Sequence, residues 1–188
     1  MKRDVAQSER DIERAMRRRG PSLLLLAVWF VIFVLIVVWA GVALTVEDAL
    51  WFVPVFRAEA SVIDLYWDGQ QVRLLPGMPE YDLLQEAVFA ELPRVTSYAH
   101  GVGLSDSTIE DLRQQGRLLE LHYAEPARVH SWHFFGASEV FYLPLSGFNA
   151  EHNRVFNAAR TGALQLKTME QIRATAETIV QEQGQSSP

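Results

Sequence analysis

ASVIDLYWDGQQVRLL, Ala60 to Leu75, reads as a β-hairpin closed by Asp68-Gly69. Asp-Gly is a strong signal for a two-residue type I′ loop, because both central positions need positive φ and the loop twist matches that of the strands. Such a loop sets the register: Trp67 opposite Gln70, Leu65 opposite Val72, Asp64 opposite Arg73 and Ile63 opposite Leu74. Apolar pairs then share one face and an Asp64–Arg73 ion pair lies on the other. Turn chemistry and alternation agree independently, so an antiparallel sheet is the expected frame.

Upstream of the hairpin, SLLLLAVWFVIFVLIVVWAGVALTV, Ser22 to Val46, runs for 25 residues without a charge or a proline. At a rise of about 1.5 Å per residue it reaches roughly 37 Å, enough to cross a hydrocarbon core of about 30 Å. Every face is apolar, unlike a core helix, which keeps a polar stripe. The run is also longer than the apolar stretch of a cleaved signal peptide, typically about 7–15 residues, so a retained signal anchor is the expectation. Seven cations precede it, including Arg17, Arg18 and Arg19, whereas Glu47 and Asp48 follow at once. That asymmetry predicts a cytoplasmic N-terminus and an extracytoplasmic C-terminal portion at the plasma (inner) membrane. Arg17, Arg18 and Arg19 with Trp51 and Phe52 are the expected membrane-interface residues, and the basic tail is suited to anionic lipid. ALWFVPVF, Ala49 to Phe56, is read either as lying on the outer membrane surface or as a first strand.

The division expected is a basic tail over 1–20, a transmembrane helix over 21–46, an α+β domain over 47–181 and a disordered tail over 182–188. Beyond Val46 stand ten cations against nineteen acids, a formal net of −9, which repels phosphate backbones and argues against nucleic acid as a partner. The chain has no cysteine, which removes disulfides, thiol nucleophiles and thiolate metal sites. Asn149, Asn153 and Asn157 all lie outside N-x-S/T sequons, in keeping with a bacterial envelope protein.

Downstream of the hairpin, Pro79 opens a helix over Leu84, Ala87, Val88 and Leu92 that Pro93 ends, and Ser107 with Glu110 is read as the capping box of a second. His100-Gly-Val-Gly103 reads as a flexible connection between them. Strands are expected at Leu118 to Tyr123, where Glu125-Pro126 breaks the run, at Arg128 to Phe134 and at Glu139 to Leu145, with further ones at Asn153 to Ala159 and Ala163 to Lys167. Thr168 with Gln171 caps a last helix. The order implies an α+β fold in which about three helices pack on one face of a mainly antiparallel sheet.

Chemistry-bearing residues are sparse. His122, His130 and His133 accompany Glu120 and Glu125, but on a strand positions 130 and 133 face opposite ways, so no metal site is expected. Ser146 lacks the preceding glycine of a nucleophile elbow, and Lys167, the only lysine after the apolar run, has no serine motif to serve. No catalytic residue and no cofactor are assigned. Trp132, His133, Phe134 and Phe135 form the candidate binding patch, any part of it left exposed being suited to a protein or ligand. The expected function is that of an anchored binding domain, an accessory, assembly or sensory-regulatory component of an envelope complex with a membrane or envelope protein partner. The alternatives are a small-molecule-binding domain and an anchored hydrolase with a noncanonical site.

Overall fold

The computed structural model describes residues 22–53 and 55–185. Arg17, Arg18 and Arg19 and the basic tail lie outside them. The described residues as far as Val42 make one compact unit, and those from Ala43 on make a second.

The first unit belongs to helix α1, Leu23–Val46, which is long and apolar enough to cross a bilayer. Ser22 begins it, its Oγ accepting the Leu25 N–H at 3.1 Å. The second unit is an α+β fold on a seven-stranded sheet whose neighbours are all antiparallel. Its elements are β1 Val62–Trp67, β2 Gln70–Leu74, α2 Pro79–Glu91, β3 Val95–Gly103, α3 Asp106–Gln114, β4 Arg117–Ala127, β5 Ser138–Pro144, α4 Gly147–Glu151, β6 Arg154–Asn157, β7 Thr161–Leu166 and α5 Glu170–Gln185. Strand order is β2-β1-β4-β5-β6-β7-β3.

The hairpin has the register the sequence predicts at every pair named above. Asp68 and Gly69 both take positive φ, 49° and 85°, as a type I′ loop requires. Ile63 and Leu65 turn into the main core with Leu119, Leu121, Phe141 and Leu143, where α2 and α5 cover them. Phe56 enters the same core, and Ala49 to Val53 form turns, so the described part of Ala49 to Phe56 contributes no strand.

The opposite face is covered in part by α3, through a smaller cluster of Leu104, Ile109, Leu118, Phe156 and Ala163. Helices therefore pack on both faces, not one. Capping side chains explain much of the local detail. α3 is capped by Ser105, whose Oγ accepts the Thr108 N–H at 3.1 Å, two residues before the expected Ser107. Glu110 is consequently free to accept from Gln114 Nε2 instead of closing a capping box. At α5, Thr168 Oγ1 accepts the Glu170 N–H, but Gln171 is not the capping partner. The Gln171 and Ile172 amides instead donate to the carboxylate of Glu91, only 2% exposed at the end of α2. A buried carboxylate at a helix N-terminus satisfies orphan donors and the helix dipole together. α5 continues to Gln185, past the point where a disordered tail is expected to start.

Three expectations about strands are corrected. His100 to Gly103 belongs to edge strand β3, not to a flexible connection. Glu125-Pro126 does not break β4, because the proline sits exposed where the β4–β5 register shifts between His122 and Ala127, a place that lacks a regular ladder donor. Arg128 to Phe134 is not a strand, since residues 128–137 are irregular and connect β4 to β5.

Candidate functional site

The 128–137 connection runs beside the segment that leaves α1. Arg128 Nη1 donates to the Val46 carbonyl at 3.4 Å, His130 Nδ1 lies 2.8 Å from Asp48 Oδ2, and the rings of Trp132 and Trp51 meet edge-on at 4.1 Å. Asp48 is 7% exposed and also accepts the Leu50 N–H, so it fixes both strips of chain. Within the connection, the buried Ser131 hydroxyl donates to the His133 carbonyl and accepts its N–H, and Asn157 Nδ2 donates to the Phe135 carbonyl. The irregular backbone is thus held by side-chain hydrogen bonds in place of a ladder.

These contacts enclose an open cleft of about 480 Å³ lined by Trp51, Phe52, Pro93, Val95, Thr96 and residues 130–133. That volume lies within the usual range for small-ligand sites, about 300–1,000 Å³. Burial and the neighbouring His100 hold the His133 imidazole below its ordinary value, leaving it neutral at pH 7 and able both to donate and to accept. The Trp51 indole N–H is buried with no acceptor among the described residues.

The candidate patch divides here. Trp132 and Phe134 are exposed, at 67% and 55%, and His133 is half-buried against the Tyr98 ring. Phe135 is buried and stacks on Phe141 in the core, so it is not part of the surface. Of the interface residues, Phe52 is exposed and Trp51 half-buried.

A second cluster of donor atoms lies on the sheet, and its three residues come from two strands with no shared local motif. Asp64, Glu120 and His122 each offer a donor atom within 4.8 Å of the others. Asp64 and Glu120 are opposite each other across β1 and β4, and His122 Nε2 sits 3.4 Å and 3.5 Å from their nearer oxygens. Both carboxylates, however, are taken up bidentately by guanidiniums, Asp64 by Arg73 and Glu120 by Arg113. A cation would have to displace both arginines, so the donor set is better described as a neutral ion-pair network than as a metal centre. Alternation in β4 puts Glu120 and His122 on one face; their meeting with Asp64 depends on a pairing between strands more than fifty residues apart. Ser146 accepts the Arg117 N–H with its Oγ and acts as a turn residue.

Burial pushes the Asp64 carboxyl up, but hydrogen bonds from Arg73 and Gln71 and the Arg73 charge outweigh it and hold the group below the usual aspartate range. A depressed folded value contributes stability above the unfolded value, about 3.9, that disappears as pH falls through the folded one. The stability gap between wild type and Asp64→Asn is expected to shrink between about pH 5 and pH 2. Urea midpoints across that range check it, and a constant gap would refute it.

The fold and the cleft together define the class: an α+β domain with an aromatic surface cleft, entered from a long apolar helix. No protein-family model matches this chain, and comparisons with curated proteins and with solved structures find no match. Functional readings therefore rest on the cleft and the ion-pair network.

Proposed function

We propose that this is a single-pass membrane protein, N-terminus cytoplasmic, whose extracytoplasmic α+β domain binds a membrane or envelope protein as an accessory, assembly or sensory-regulatory component. The observation that carries the reading is the attachment of the cleft to the segment leaving α1, through Asp48–His130 and Trp51–Trp132. A site built on that segment stays within a few residues of the anchor, where tethering raises the effective concentration of membrane partners and weak contacts suffice. The lining combines aromatic faces with a neutral imidazole and a threonine hydroxyl, a mixture typical of interface centres.

The test is affinity capture of the tagged full-length chain from its native membrane in mild detergent, beside Thr96→Arg. Thr96 is exposed on edge strand β3, so arginine obstructs the cleft without touching the core. One partner recovered in stoichiometric yield by wild type, and at least about tenfold less by the variant, is the expected result. Equal recovery would remove the cleft from the interaction. The cleft's size and the His133 and Thr96 that line it favour a second reading, a small-molecule site. Capture of no protein by wild type, with Thr96→Arg abolishing binding of an aromatic probe, would move the assignment there.

A further inference from the structure

The second unit carries exposed apolar side chains on its first residues and on the 128–137 connection. Leu44 is 81% exposed, Leu50 and Phe52 about half, and Trp132 and Phe134 more than half. They come from two stretches far apart in sequence, 44–52 and 132–134, which Arg128–Val46, His130–Asp48 and Trp132–Trp51 lace together. Such side chains gain nothing from water, and ordering them beside one another costs entropy.

We propose that Trp132 and Phe134 form, with Leu50 and Phe52, a lipid-contacting rim that enters the headgroup and upper acyl region of the same bilayer that holds α1. The inference rests on the anchor reading above. Phe52 is six residues beyond Val46, and the chain between them folds into turns, with the Asp48 N–H reaching back to the Ala43 carbonyl and Val53 to Leu50. Extended chain would cover at most about 20 Å over that distance, and turns cover much less, while headgroups extend roughly 5–8 Å beyond the hydrocarbon. Residues 50–52 therefore stay near headgroup depth, and the edge-on contact between Trp51 and Trp132 holds the tip of the connection beside them. Tryptophan and phenylalanine on such a rim suit the interface, where an amphipathic indole and a buried ring both find their solvent. Arg128, donating to the Val46 carbonyl, adds a cation near the phosphates. Lipid delivered by the tether is the resting occupant of this rim, and a membrane partner that enters the cleft replaces it at Phe52 and Trp132.

The chain has no cysteine, so single cysteines can be nitroxide-labelled in the full-length protein reconstituted into phosphatidylcholine–phosphatidylglycerol vesicles. Four sites suffice: Phe134→Cys and Leu50→Cys on the rim, Leu83→Cys on the exposed face of α2, and Val34→Cys in α1. Collision with oxygen reports lipid, and collision with a water-soluble nickel chelate reports water. The rim labels are expected to collide with the chelate roughly tenfold less than the Leu83 label, approaching the Val34 label. Rim labels as chelate-accessible as Leu83, with Val34 shielded, would overturn the rim and leave the anchor standing. A chelate-accessible Val34 label would overturn both.

Discussion

Arg113→Ala is expected to destabilise the second unit by about 3–5 kcal/mol, the usual loss when a buried charge is left without its partner, although the Arg113 side chain itself is 35% exposed. Glu120 has a side chain 2% exposed and receives both its strong hydrogen bonds from this one guanidinium, at 2.8 and 3.1 Å. Asp64 lies directly across the strand pair, so loss of Arg113 leaves two buried carboxylates side by side with Arg73 serving only one. The guanidinium also stands 5.4 Å over the Tyr66 ring, and alanine forfeits that contact. For a unit of this size the loss corresponds to a melting-temperature drop of very roughly 10–20 °C. Glu120→Gln added to Arg113→Ala removes the stranded charge and is expected to recover part of it. A loss below about 1 kcal/mol, as for an exposed pair, would mean that Glu120 is solvated.

Gly162→Ala is the second large effect. Gly162 has φ +101°, which an L side chain rarely adopts, and a Cβ there would overlap the Tyr98 hydroxyl and stand 2.5 Å from its Cζ. Backbone strain of about 1–3 kcal/mol adds to about 1–3 kcal/mol of overpacking. Tyr98 is held by its hydrogen bond to the Thr161 carbonyl and by the rings of His100, His133 and Phe135 around it. Displacing it therefore loosens the His133 wall of the cleft as well as the β3–β7 edge. In a double-mutant cycle, Tyr98→Ala should reduce the cost of Gly162→Ala, because the smaller side chain leaves only the backbone strain. Strictly additive losses would show that the two residues do not meet.

The parts of this protein legible in its sequence are those that neighbours along the chain decide. Asp68-Gly69 dictates φ at two adjacent positions, and the hairpin register follows residue by residue. Pro79 starts α2 where its missing N–H costs nothing, and an unbroken apolar run makes α1. β3 was hidden because it lies at the sheet edge, half exposed along its length and interrupted by two register shifts, so it carries no clean period of two. Residues 128–134 alternate as a strand does, yet they pack by side chains against 46–51 in place of pairing in the sheet.

What only tertiary structure decided are the meetings across long separations. Asp48 finds His130 82 residues away, Glu91 finds the α5 amides 80 and 81 residues away, and β1 pairs with β4 to bring Asp64 to Glu120. No local pattern specifies such contacts, because each depends on which strands lie side by side, and strand order is settled by burying one shared core. Composition and periodicity determined that this chain carries a long apolar helix and an acidic α+β domain; the cleft, the ion-pair network and the aromatic rim exist only once the sheet has closed over that core.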